Sequence, residues 1–537
     1  MGDAPQEDHV NLLFVYPEIP DTFWSFRHAL KFVSKKAAFP PLSILTVSAL
    51  VPAGWNKRLI DMNVRRLKDT DLMWADYVCI SAMHVQKKSV SDVISRCRRF
   101  GKKIIAGGPY FTTSPHDFSD VDHLVLGEAE ALLSGLFDDI AAGAARHVYS
   151  SPDHPDLSLT PVPDWSLIDL RDYDSVLVQF SRGCPFDCEF CDIVILNGRK
   201  QRTKSPGQFI REIDSLHRCG WRGSVFVVDD NFIGSKAKVK EMLRELAHWM
   251  DANGRPFHFF TEASINLADD EELMRLMARA GFNKVFVGIE TPNIESLKET
   301  NKYQNTKNDL LQAVRSIQAN GMEVMGGFIV GFDNDTESIF EKQIEFIQKS
   351  GITMAMVGVL NALPGTKLWR RLRQEGRLTS ESSGDNTEAS INFIPRMDRE
   401  KLLEGYRRVL ETIYSPESYY KRCVTFLKSY HQQTVSKINA SGVIALFRSI
   451  WRMGIKNEEG FRKCFWRLLI KSLLINPKTF GEAVRLLIVG YHFRKSMCTS
   501  RPTLPGGSHP FTGAGTPVPG DTPMSRLDGP GPRPARF

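Results

Sequence analysis

Arg182-Gly183-Cys184-Pro185-Phe186-Asp187-Cys188-Glu189-Phe190-Cys191-Asp192 is the stretch on which the reading of this chain turns. Cys184, Cys188 and Cys191 stand in a C-x3-C-x2-C spacing. Three thiolates on so short a loop can hold three irons of a [4Fe-4S] cluster, whereas electron-transfer clusters ordinarily take four cysteines. The fourth iron is then left without a protein ligand, which points to chemistry at the cluster. A structural zinc site closes to four Cys or His ligands, and the next candidate, His217, falls on an expected helix. A disulfide would leave one of the three cysteines over.

At 537 residues the chain is too long for one core and calls for several domains. Its 42% hydrophobic and 24% charged content is that of a globular protein and excludes a disordered or fibrous class. No run of about 18 or more uncharged apolar residues offers a membrane span. The N-terminus is acidic and polar, without a signal-peptide pattern. With cysteines otherwise scattered, a reducing, cytoplasmic setting is expected.

Residues 1–150 alternate short apolar runs with helical patterns: Leu12–Tyr16, Arg58–Asp61, Tyr77–Ser81, Lys103–Gly107 and Leu124–Leu126 read as strands. Such alternation implies a parallel, doubly wound, Rossmann-like α/β sheet. Ligands of these sheets sit at the carboxyl ends of the strands. There the sequence places Asp61, Ser81, Gly107, Gly108, Gly127 and Glu128. Residues 151–375 continue as βα repeats, with strands at Leu177–Ser181, Val225–Val228, Phe257–Thr261, Val285–Ile289, Glu323–Val330 and Met354–Leu360. Six such repeats argue for a (β/α)6 partial TIM barrel with its site at the strand C-termini. Polar groups collect at those ends: Asp229, Asp230 and Asn231, then Glu262, then Glu290, then Gly331. Arg182, Arg199, Arg202 and Lys204 crowd the cysteine loop, either to meet an acidic ligand group or as a solvated face.

The cysteine spacing, with the aromatic Phe190 before its last member, resembles the signature of the radical S-adenosylmethionine (SAM) superfamily. The Pro40-Pro41-Leu42 helix start, the Gly107-Gly108-Pro109 turn and the Gly127-Glu128-Ala129-Glu130 turn resemble the cobalamin-binding domain that precedes the barrel in one large subclass. Asp192-Ile193-Val194 and Gly198-Arg199…Arg202-Thr203-Lys204 make the chain most similar to the class B-type methylase group that includes the hopanoid C-2 methylase. The resemblance implies a [4Fe-4S] cluster on Cys184, Cys188 and Cys191, with SAM chelated at its open iron. It also implies a SAM site formed by Phe190, Asp229, Asp230, Asn231, Glu262, Glu290, Gly327 and Gly331, and cobalamin near Asp61, Ser81, Gly107, Gly108, Gly127 and Glu128. The Asp-x-His-x-x-Gly motif that supplies an axial histidine to other cobalamin proteins is absent, so the cobalt is expected to lack one. A Rossmann-like scaffold that binds nothing stands as the alternative, and His84 is read as a loop histidine.

The C-terminal region, residues 376–498, opens with a polar, turn-rich linker at Leu378–Asn392 and reads as helical from Asp398, basic and aromatic, as in Phe447-Arg448-Ser449-Ile450-Trp451-Arg452. It reads either as a cap on the barrel or as helices lying on an anionic membrane. Residues 499–537 are rich in Pro and Gly and expected to be disordered. The implied activity is radical SAM, cobalamin-dependent methylation of an unactivated carbon, an isoprenoid lipid being one candidate substrate. The rivals are a radical SAM cyclase or oxidoreductase without methyl transfer and a non-catalytic iron–sulfur or corrinoid-binding protein. Expected partners are a small-molecule or lipid substrate, a reductant such as a flavodoxin or ferredoxin, and peripheral membrane contact through the basic C-terminal helices. Nucleic acid is not expected.

Overall fold

Leu12, Leu13, Phe14 and Val15 are all but inaccessible to solvent, because β1 (Asn11–Tyr16) runs inside a parallel sheet covered on both faces. The computed structural model describes residues 9–385, 387–430 and 440–499. The Pro/Gly-rich segment lies outside them, except that Thr499 ends the last helix.

β1 is flanked by β2 (Asn56–Asp61) and β3 (Tyr77–Ser81), followed outward by β4 (Lys103–Gly107), β5 (His123–Leu126) and β6 (Val148–Ser150). The order β2-β1-β3-β4-β5-β6 is parallel throughout. Strand order reverses between β1 and β3, and the crevice at that point is where such sheets take ligands. β6 has three residues at the sheet edge, too few for a sequence pattern to reveal it.

The second sheet is built from β7 (Ser175–Val178), β10 (Gly223–Val227), β11 (Phe257–Ala263), β12 (Phe282–Glu290), β13 (Glu323–Val330) and β14 (Ala355–Val359), each parallel to the next. Sequential neighbours with helical crossovers give a partial barrel. The cysteine loop leaves β7 and crosses a short antiparallel pair, β8 (Ser181–Arg182) with β9 (Arg202–Thr203). The first barrel strand therefore ends at Val178, three residues before the sequence pattern stops. Phe180 N–H donates to Asp229 Oδ1 (2.8 Å) instead of extending the ladder, and Ser181 turns away to pair with Thr203.

C-terminal helices Arg399–Ile413, Pro416–Ser429 and 480–499 pack against the outside of this assembly. The last of them also meets the short helix Arg27–Val33 near the start of the chain. There Phe493 stacks on Phe23 with ring centroids 4.2 Å apart. Arg422, fully buried, donates to Gln348 Oε1 (2.7 Å) and Ile413 O (2.6 Å), fastening helix Pro416–Ser429 to the barrel. The C-terminal region thus braces both sheets as well as capping one. No helix among the described residues is long and apolar enough to cross a membrane.

Helix 480–499 approaches helix Pro416–Ser429 through Gly490, where a Cβ would lie 2.3 Å from the Tyr419 ring. Gly490→Val is expected to overpack this contact by about 1–3 kcal/mol. A thermal unfolding midpoint lower by several degrees than that of wild type is the expected readout.

Candidate functional site

The cysteine loop is held from several sides. Gly183 has φ +92°, and a Cβ there would meet three carbonyl oxygens at 2.9–3.0 Å, so only glycine fits. Its N–H donates to Asp230 Oδ2 at 2.8 Å, and Asn197 Nδ2 donates to the same carboxylate. Cys184 N–H donates to Gly198 O, and Cys191 N–H to Cys188 O. Glu189 N–H donates to Thr300 O, while its carboxylate receives Arg371 Nε at 2.7 Å. Arg371 in turn reaches Asp333 at 3.0 Å, so the loop is bonded to the barrel rim after β13.

The three sulfurs sit in the surroundings a cluster needs. Cys188 is buried and the other two are partly so. Asn231 Nδ2 lies 3.8 Å from Cys184 Sγ, and Gln304 Nε2 lies 3.8 Å from Cys188 Sγ, as N–H donors to sulfur. Such donors tune iron–sulfur centres. Burial pushes the Cys184 and Cys191 thiols up, so they stay neutral until a metal displaces the proton. Beside them, Lys302 Nζ stands 2.7 Å from Glu290 Oε1. Burial works against the Lys302 ammonium, but Glu290 and the neighbouring Cys188 sulfur outweigh it and hold it protonated. Among the described residues no three His, Cys, Asp or Glu side chains are grouped closely enough to hold a single metal ion. Three cysteines on one rigid loop, with amide donors and a cation alongside, fit a multi-iron cluster.

The strand ends behave differently from one another. Asp229 accepts from Phe180 N–H and from Ser181 Oγ (2.5 Å). Burial pushes its carboxyl up to about 7 against these bonds. It is a brace for the loop entry, and Asp230 is its neighbour in that task. Asn231 accepts from Ser264 N–H and offers its amide to Cys184. The Glu262 carboxylate has no hydrogen bond or ion pair among the described residues, while its carbonyl oxygen accepts from Phe232 N–H. Burial, with the like charges of Asp230 and Asp229, raises its carboxyl to about 7. Glu290 adopts φ +64°, an uncommon conformation for a residue with a side chain. The β12–β13 register shifts at this point, between Gly288 and Glu290, as a bulge that re-aims a side chain does. Phe190 packs near Phe332, with Lys302 over its ring. Gly327 gives room to the Phe286 ring, which a Cβ there would approach to 2.9 Å. Gly331, at φ +100°, lies against Leu402.

A cavity of about 770 Å3 lies between the carboxyl ends of the two sheets. Ser81, Gly107, Gly108, Gly127 and Glu128 line it from the first sheet, and Gln179, Val228 and Asp230 from the barrel. Asp61 is not among its lining residues; its carboxylate is engaged by Asn63 and by Tyr173 Oη (2.9 Å), below the cavity wall. No histidine among the described residues lines the cavity, and His84 Nε2 is bonded to Ser382 O. The volume suits a bulky cofactor or ligand.

The basic cluster of the loop is engaged by protein carboxylates. Arg182 reaches Glu128 (2.5 Å) and Glu130 (2.6 Å), Arg202 also reaches Glu128, and Lys204 pairs with Glu212. Arg199 alone keeps to the exposed face, near Asp187. Sequence reasoning missed Lys302, Gln304 and Asn305, whose amide donates to Gly288 O and Ile289 O. The polar run from Thr300 to Asn305 was the available signal.

Residues 178–347 match the radical SAM superfamily model, and residues 366–502 match a domain of unknown function. The site and barrel therefore define a radical SAM enzyme. The chain is 41% identical to an uncharacterised methyltransferase of Synechocystis sp., over 90% of this chain and 91% of that one. It is 34% identical to the hopanoid C-2 methylase of Rhodopseudomonas palustris, over 89% and 91% respectively. This protein belongs to the family of radical SAM methylases that includes those two. By fold it is also similar to the cobalamin-dependent SAM radical enzyme OxsB (TM-score 0.60, 16% identity, covering 91% of this chain and 84% of that one). As a radical SAM methylase it acts with a [4Fe-4S] cluster and SAM on a small-molecule substrate, and it requires a reductant.

A carboxyl whose folded-state pKa lies above its unfolded one makes the fold less stable as pH rises from about 4. For Glu262 that loss runs up to about 7. Glu262→Gln removes it, so the variant's melting temperature should gain on that of wild type between pH 5 and pH 8. Parallel melting curves of the two proteins over pH check this.

Proposed function

We propose that the chain methylates an unactivated carbon of an apolar, isoprenoid-type small molecule, with cobalamin as the methyl carrier. The observation that carries this is the shared chamber. The crevice of the Rossmann-like sheet and the mouth of the barrel open into one cavity, bounded on the barrel side by Ile193 and Leu196 of the cysteine loop. The reading is supported by the methylase names of the full-length relatives, and by the OxsB title, which describes bound aqua-cobalamin and SAM.

In this reading Cys184, Cys188 and Cys191 hold three irons. Glu290, Glu262, Asn231, Asp229, Asp230, Phe190, Gly327 and Gly331 surround SAM, with the unpaired Glu262 carboxylate available to its ammonium group. Ser81, Gly107, Gly108 and Gly127 face cobalamin. When bound, the cluster and SAM supply a 5′-deoxyadenosyl radical able to take hydrogen from an unactivated C–H bond, and cobalamin supplies a methyl group. The chain's own part is to place these groups and exclude water. Trp24, Phe39, Leu42 and Met356 form an apolar wall of the cavity, suited to a hydrocarbon substrate. Asp229 and Asp230 brace the loop entry against displacement. The reductant is a flavodoxin- or ferredoxin-type protein, and the setting is the reducing cytoplasm.

Anaerobic reconstitution with iron, sulfide and hydroxocobalamin, followed by SAM and reductant, tests the proposal. Retained cobalt with both deoxyadenosine and S-adenosylhomocysteine is the expected result, and Cys188→Ala should abolish deoxyadenosine. Deoxyadenosine without retained cobalt would overturn the methyl-carrier reading in favour of other radical SAM chemistry.

A further inference from the structure

Two C-terminal helical segments present an apolar face that nothing among the described residues covers. Helix 440–449 continues as a wider turn of helix at Ile450–Ile455, reverses at residues 456–458 and returns as helix Glu459–Ile475. Trp466 Nε1 donates to Gly454 O (3.1 Å), tying the returning helix to the wider turn as a hairpin. On the first arm Val443, Ile444, Phe447, Trp451 and Ile455 are exposed at helical spacing, and on the second Trp466, Ile470, Leu473 and Leu474 are exposed. Phe447 is 67% exposed, Trp451 54% and Leu474 75%. Monomers rarely leave such a contiguous apolar patch in water unless it binds something.

The charge around the face indicates what binds. Arg448, Arg452, Lys456, Arg462, Lys463, Arg467 and Lys471 stand on the two arms, with Lys478 just beyond them, against acidic Glu458 and Glu459 alone. Both acids are already engaged, by Arg494 and Lys463. Lys471 and Lys478 are exposed and have no ion pair among the described residues. Lys456 lies over the Trp451 ring, 4.8 Å from its centroid. Exposed Trp, Phe and Leu bordered by uncompensated Lys and Arg suit the boundary between headgroups and acyl chains of an anionic bilayer. An apolar protein partner would leave the positive excess unanswered. We infer that the 440–475 hairpin docks the enzyme on the surface of an anionic membrane.

The hairpin is also wired to the cavity. Arg448 donates to Phe32 O (3.1 Å) and Ser34 Oγ (2.5 Å), at the end of helix Arg27–Val33. Arg27 and Leu30 of that helix line the cavity. Docking therefore brings lipid close to the cavity rim. Its use for taking up an apolar substrate rests on the proposed function; the docking itself does not.

The test is flotation of the full-length protein with phosphatidylcholine vesicles, with and without phosphatidylglycerol. Wild type should float with the anionic vesicles and lose binding as salt rises. Phe447→Ser with Leu474→Ser should weaken binding by at least about tenfold. Lys471→Gln and Lys478→Gln should each weaken it about fivefold. Deoxyadenosine formation from SAM without vesicles should be unchanged in all of these variants. Docking is overturned by absence of flotation with anionic vesicles, by equal flotation of the Phe447/Leu474 variant, or by a dimer in solution that the same variant dissolves. That last outcome would assign the face to a second copy of the chain. Failure of the proposed function would appear as deoxyadenosine formed without retained cobalt in wild type and would leave flotation untouched.

Discussion

Arg182 sits one residue before the glycine that opens the cysteine loop, and its guanidinium spans Glu128 and Glu130 of the other sheet. Arg202 and His154 approach Glu128 as well. Burial alone would raise the Glu128 carboxyl, but Arg202 and Arg182 outweigh it and hold it below its usual range. A buried ion pair contributes little net stability, yet removing one partner is costly because the other is left charged in a dry setting. The value of this node is geometric. It holds the crevice of the first sheet and the mouth of the barrel at one fixed separation, with the cavity between them.

Around that node the barrel devotes its polar groups to positioning. Asp229 and Asp230 secure the two ends of the loop entry, Glu189 and Arg371 its far side, and Asn231 and Gln304 approach two of the three sulfurs. Glu290 accepts an uncommon backbone conformation to meet Lys302, and Gln343 donates to its carbonyl oxygen. Strain of this kind persists only where surrounding structure holds it, and it gathers at functional sites. Glu262 stands apart as the carboxylate in this group with no partner. A half-buried acid shielded from water without a donor is costly on its own, which is why it reads as a group awaiting a ligand.

The C-terminal helices complete the machine in two directions. Inward, they fasten to the barrel through Arg422 and to the segment near residue 23 through Phe493. Outward, they leave Phe447, Trp451 and Leu474 in solvent. The sequence offered cap and membrane contact as alternatives; the inward side is a cap, and the outward side is the one the docking proposal uses.

What the sequence determined by itself was whatever depends on neighbours along the chain. The C-x3-C-x2-C spacing, the period-two and helical patterns of both sheets, and the turn chemistry at Gly107-Gly108-Pro109 are local, and they sufficed for the class and the fold. The same locality explains the misses. β6 is too short for a pattern, and β7 stops early because a side chain forty-nine positions away takes the Phe180 N–H; the Tyr173 bond to Asp61 likewise joins distant positions. The roles of Arg182, Arg202 and Lys302, and the position of the cavity, were decided only by tertiary structure. Ion pairs and cavities are made between residues distant in sequence, and a charged side chain reads the same along the chain whether it faces water, a ligand or a carboxylate from another domain.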